Sequence, residues 1–213
     1  AELGQPEAQA NLGTFYEAGL GGLPVDGSQA LRWWRAAGEA GDSSAQRLLA
    51  SAYANGTCGL QSDAAEALRW MMRAAEQEDL EAMYCLGTAL PSDALATDAE
   101  ASGRWLRKAA ELGHAQAQYR MGVEGLANED VETGTEIAAF WFGRAARNGS
   151  AAAQCNLGAL YAQGLGGLEQ DLTEALRWYQ SSANGGNPDG QHNLALMYKL
   201  GLGVQQDLVQ ARE

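Results

Sequence analysis

The chain repeats itself. Residues 2–13 read ELGQPEAQANLG and residues 111–122 read ELGHAQAQYRMG, with Glu, Leu, Gly, Ala, Gln and Gly in the same six places. The Ala-Gln pair recurs at Ala8-Gln9, Ala45-Gln46, Ala117-Gln118 and Ala153-Gln154, with Ala82-Met83 and Gly190-Gln191 as variants. Five residues on stands a small residue: Gly13, Ala50, Gly87, Gly122, Gly158 or Ala195. Eight on, four of the six carry Tyr16, Tyr53, Tyr161 and Tyr198. A second motif, QALRW or EALRW, ends at Trp33, Trp70 and Trp178, and Trp105 and Trp141 hold the same place. The steps between these Trp are 37, 35, 36 and 37 residues. A fixed period of this length means one supersecondary unit stacked on copies of itself.

Each unit reads as two helices. β-Branched residues are few and Ala is abundant, which favours helix over strand. Ala8, Leu12 and Tyr16 form one helical stripe. The mid-helix Gly costs about 1 kcal/mol against Ala, so its recurrence predicts a close neighbour. Gly-rich turns at 19–22, 164–167 and 201–203 supply the left-handed residue that ends a helix. Second helices open on capping boxes: Asp26…Gln29, Asp63…Glu66, Asp171…Glu174 and Asp207…Gln210, and one residue out of step Thr97…Glu100 and Thr133…Glu136. Ala30, Trp33 and Ala37 share the predicted buried face. Gly41, Gly113, Gly149 and Gly186 close the second helices.

The pattern A-Q-x-x-L-G-x-x-Y-x-x-G-x-G, then D-x-x-x-A-x-x-W-Y/W-x-x-A-A, resembles the Sel1-like repeat, a cousin of the tetratricopeptide repeat. The resemblance covers essentially the whole chain. It implies an all-α fold, a right-handed α-solenoid of about five and a half helix-turn-helix units of 35–37 residues. The units run roughly 4–40, 41–77, 78–112, 113–148, 149–185 and 186–213, the last truncated, in a single array. Two units depart: Leu90-Pro91 replaces the Tyr and its turn in the third, and Gly125 with the acidic stretch Glu124 to Glu136 marks the fourth. Ala1-Glu2-Leu3-Gly4 matches the tail that closes a second helix, and Asp207 caps a helix that the chain does not finish, so the expectation is an interior piece of a longer bacterial protein.

Chemistry finds little support. The formal charge is −13, which argues against nucleic acid and anionic membrane, since both need a basic footprint. No apolar run approaches the ~18 residues of a membrane span. Cys58, Cys85 and Cys155 are odd in number and lack metal-ligand spacing, so buried free thiols are expected. His114 and His192 have no partner at ligand spacing. The Gly-rich turns end helices and precede no Gly-Lys-Ser/Thr, so they are not phosphate loops. No catalytic residue, cofactor or metal is expected. A cysteine-rich branch of the family is credited with β-lactam binding or hydrolysis. It carries a Cys pair in each repeat, and the lone cysteines here depart from that.

The expected function is a non-catalytic scaffold that holds a partner protein, with a periplasmic or secreted location favoured over the cytoplasm. The resemblance implies that first helices line a concave side. Counting from the repeat's Ala as zero, positions 2, 3 and 6 lie opposite the buried stripe. They vary between units while the stripe does not. The candidate partner-binding residues are Arg47, Leu48, Ser51, Tyr84, Tyr119, Arg120, Val123, Asn156, His192 and Asn193. Tyr and Arg are the types that dominate interface energetics. Eleven of the fourteen basic residues lie in second helices or their tails, where Arg32, Arg69, Arg104 and Arg177 each precede a Trp. That ladder is accounted for by ion pairing along the helices. The alternative is an acidic groove that steers a basic partner. A second function remains open, an immunity protein that blocks a secreted toxin; some bacterial members of the family neutralise phospholipase effectors.

Overall fold

The computed structural model describes residues 4–89 and 98–212. Among them are eleven α-helices, one 3-10 turn at Gln210–Arg212, and no strand. The helices are α1 (Pro6–Ala18), α2 (Gly27–Glu39), α3 (Ser43–Asn55), α4 (Ala64–Glu76), α5 (Leu80–Thr88), α6 (Ala99–Glu111), α7 (Ala115–Leu126), α8 (Val131–Arg147), α9 (Ala151–Gln163), α10 (Leu172–Asn184) and α11 (Pro188–Leu200). Odd helices are the first of each repeat and even helices the second. The fold is an all-α solenoid of helical hairpins. Two compact units divide it, Ala1–Lys108 and Ala109–Glu213. In the first, α1 packs on α2, α2 on α3 and α3 on α4. In the second, α7 through α11 pack in chain order. The expectations placed on Ala1-Glu2-Leu3, Leu90-Pro91 and Thr97 lie outside the described residues.

Second helices start where a carboxylate takes the free amides of the first turn. Asp26 accepts from Gln29 N, and Asp63 and Asp171 each accept from two amides. Each of these Asp residues also donates its own N–H to the carbonyl of the preceding Tyr, namely Tyr16, Tyr53 and Tyr161. That bond closes the hairpin. The fourth repeat corrects an expectation. Its second helix is capped by Asp130, not Thr133, and runs for 17 residues. Thr133 sits inside the first turn and donates to Asp130 Oδ2 at 2.8 Å. Because Asp130 offers both oxygens, the helix begins a turn earlier. Gly134 and Gly125 let this added turn approach α7; a Cβ on Gly134 would lie 2.7 Å from the Gly125 carbonyl. Four of the six first helices end on left-handed Gly19, Gly56, Gly164 and Gly201, with φ of 66°, 64°, 67° and 68°, whereas α5 and α7 end on Ala89 and Ala127.

The core corrects a second expectation. Trp33 is only half-buried, and the deepest ring belongs to the next residue, Trp34, at 2% exposure. The same holds in three further repeats, where Leu106, Phe142 and Tyr179 are buried and Trp105, Trp141 and Trp178 half-buried, whereas in the second repeat Trp70 and Met71 are both buried, as expected of that Trp position. This following column is what the mid-helix glycines accommodate. Gly13 faces the Trp34 indole, a Cβ on Gly122 would lie 2.6 Å from Phe142 Cδ1, and one on Gly158 would lie 3.0 Å from Tyr179. A Cβ on Gly87 would meet the Leu106 backbone at 2.7 Å. A full ring or a helix backbone resting on the first helix leaves no room for a methyl group.

The Ala-Gln pair has its own reason. Gln46, Gln118 and Gln154 are buried, and each Nε2 donates to a carbonyl eight residues back, at Gly38, Ala110 and Ala146. Those carbonyls lie in the last turn of the preceding second helix, where intrahelical donors run out. Gln46 Oε1 accepts from Gln77, and Gln118 Oε1 accepts from Asn148. One amide therefore ties three helices together.

Candidate partner-binding face

Position 2 of the first helices is mostly buried or half-buried. Arg47 Nε pairs with Asp79 Oδ1 at 3.0 Å, and Ser43 donates to the same carboxylate, which also caps α5. Tyr119 packs against Phe142 with ring centroids 5.7 Å apart. Ala10 and Cys155 are buried, and Asn193 donates to the Cys155 sulfur at 3.5 Å. Arg47 and Cys155 meet the following repeat, through Asp79 and Asn193, and Tyr119 meets Phe142 on the second helix of its own repeat. Arg47 and Tyr119 at position 2, and Asn193 at position 3, thus each hold a contact within the array. Tyr84 is half-buried, and His192, at the same position of α11, is exposed.

Positions 3 and 6 are more open than position 2, with none of their residues buried. In the first unit Asn11 and Ser51 are exposed and Leu48 is half-buried. In the second unit Arg120 is exposed and Asn156 half-buried. Val123 on α7 and Leu196 on α11 are 40% and 41% exposed, with half-buried Ala159 at the same position of α9. Three successive helices thus present an apolar strip at position 6. Leu196 belongs with the candidate residues, and its repeat position was the signal that could have found it.

Burial raises the pKa of all three thiols, with Glu17 adding to Cys58 and Glu81 to Cys85, while a bond from Asn193 partly offsets the rise at Cys155. A thiol held protonated is inert. His114 caps α7, its Nδ1 accepting from Ala117 N at 3.1 Å. Among the described residues no group of three His, Cys, Asp or Glu could hold a metal ion. No described helix is long and apolar enough to cross a membrane. The second-helix ladder pairs along its own helices: Arg69 with Glu66 at 2.6 Å, Arg104 with Glu100 at 2.6 Å and Arg177 with Glu174 at 2.5 Å. Such exposed pairs are worth little each.

The Sel1 repeat model matches residues 6–42, 43–79, 80–114, 115–150, 151–187 and 188–213. The chain belongs to the Sel1 repeat family. Sel1 repeats serve protein–protein interaction. A protective antigen of uropathogenic Escherichia coli with an SLR fold is 34% identical, with a TM-score of 0.82 over 98% of this chain. The match takes in 44% of the antigen, so this chain spans less than half its length. A Sel1 repeat protein from Oxalobacter formigenes is 30% identical over 99% of this chain and 83% of its own, with a TM-score of 0.75. An immunity protein of Pseudomonas aeruginosa shares the fold at 19% identity and a TM-score of 0.52, over 97% of this chain and 78% of its own. No curated protein matches the chain.

Proposed function

We propose that this Sel1 repeat chain is a non-catalytic scaffold that holds a partner protein on the open face of its first helices. The apolar strip of Val123, Ala159 and Leu196, flanked by Arg120 and Asn156, carries the reading. Apolar side chains that recur at one repeat position, outside the core stripe, mark a surface that gains by being covered. Arg120 supplies a charge-assisted anchor at its edge. An inhibitor of a secreted toxin is the second reading. It is favoured by the net charge of −13, which suits fast capture of a basic target, and by the fold shared with the Pseudomonas immunity protein.

Site-specific photocrosslinking tests the face. A benzophenone side chain placed at Val123 captures a partner in the producing cell, and one placed at Arg177 on the outer side of α10 does not. Equal capture from both positions overturns the assignment. A toxin in the Val123 adduct selects the inhibitor, and any other protein selects the scaffold.

A further inference from the structure

The outer side of α2 carries a groove of about 560 Å³, separate from the first-helix face. Leu31, Leu60 and Cys58 line it beside Arg32, Arg35 and Glu39. The wall is built by an exchange of side chains. Cys58 takes a left-handed φ of 55° where the matching turns have Gly166 and Gly203. Those glycines lie against Thr135 and Leu172, whereas Cys58 lies against Gly27. In this repeat the loop, not the helix, provides the side chain.

The charges are arranged differently here too. Elsewhere in the ladder a glutamate one turn earlier neutralises the Arg: Glu66, Glu100 and Glu174. At the place of Glu66 and Glu174 the first repeat has Gln29. Among the described residues neither Arg32 nor Arg35 has a carboxylate at ion-pairing distance. Arg32 lies over Trp33, and Arg35 donates to the Tyr53 hydroxyl at 2.6 Å. A chain with net charge −13 thus holds two guanidinium groups with no direct ion pair above Leu31, Leu60 and Cys58, with Glu39 the one described carboxylate lining the same groove.

We infer that this groove binds a peptide segment in which a carboxylate is flanked by apolar side chains. The carboxylate meets Arg32 and Arg35 through charge-assisted hydrogen bonds, and the flanking side chains cover Leu31 and Leu60. Free phosphate shares the charge but not the apolar contact.

Side-chain Nε–Hε signals of the labelled full chain, titrated with acetyl-Leu-Glu-Leu-amide, read the site. The Arg32 and Arg35 signals are expected to shift and saturate, and acetyl-Leu-Gln-Leu-amide to leave them in place. Arg32→Gln is expected to weaken binding roughly tenfold, the loss of one hydrogen bond to a charged group. Gln29→Glu keeps both arginines and restores the glutamate of the other repeats. It is expected to weaken binding about twofold through the new helical pair, without loss of folding, because glutamate suits this capping position. Four results overturn the inference: equal shifts with both peptides, no shift with either, saturation by inorganic phosphate at the same concentration, or unchanged affinity in Gln29→Glu.

Discussion

A glycine in the middle of a helix has two opposite meanings in this molecule, and the neighbour decides between them. Gly122 on α7 lies under the Phe142 ring, where a Cβ would come within 2.6 Å. Gly143 on α8 would bring a Cβ only against the flexible end of Arg147, at 3.8 Å. Gly122→Ala is therefore expected to lower stability by about 1–3 kcal/mol through overpacking. Gly143→Ala is expected to raise it by up to about 1 kcal/mol through helix propensity. Urea unfolding of the two variants checks both signs. Gln118 makes the parallel case for a polar residue. It is fully buried, donates to the Ala110 carbonyl and accepts from Asn148. Gln118→Leu keeps the bulk but removes two hydrogen bonds, leaving the Ala110 carbonyl with Gly113 N and Asn148 with the Gly113 carbonyl, at an expected cost of about 1–3 kcal/mol from two bonds of about 0.5–1.5 kcal/mol each, measured by the same unfolding assay.

Among the elements, α8 stands apart. Its 17 residues exceed the 13 of α2, α4, α6 and α10 because Asp130 caps it a turn early. The Thr133 hydroxyl, then backbone N–H groups, hold the Asp130 carboxyl below its ordinary pKa. A depressed folded pKa gives stability that is fully present above the unfolded value. It is lost as the pH falls through the folded one. Asp130→Asn should therefore flatten the acid limb of a plot of melting temperature against pH, while leaving the neutral region parallel to wild type. An acid limb unchanged in Asp130→Asn would show that this cap does not carry the effect. Seams between elements follow the same logic. Arg47 and Asp79 join α3 to the cap of α5, so a charge that looks available in the sequence is spent on stacking.

For the whole molecule, charge is the dominant scale. A net −13 in a chain of 213 residues repels itself. The ion pairs that offset it are mostly exposed and local. Raising the salt from about 0.01 to 0.15 M shortens the screening length from about 30 to about 8 Å. That relieves the long-range repulsion more than it weakens contacts within a helix. The melting temperature is expected to rise over this range in differential scanning calorimetry. A fall would mean that local pairs outweigh the net charge.

The period, the helical hairpins, most of the caps and the left-handed glycines were all legible in the sequence. Each depends on residues within one turn or one repeat of one another. Asp63 caps α4 because Ala65 and Glu66 follow it, whatever lies beyond. The choice between neighbours was not legible in that way. Trp33 and Trp34 are both apolar and adjacent, and only the angle at which α1 meets α2 sends Trp34 to Gly13. Position 2 looked as open as position 6 on a single helix. The stacking of one first helix beside the next buried Cys155 and left Val123 and Leu196 in water. Helical periodicity fixes which residues share a face. What each face touches depends on how far and at what angle successive helices stack, and that is set by contacts between residues some 30 or more positions apart, such as Gln118 with Asn148.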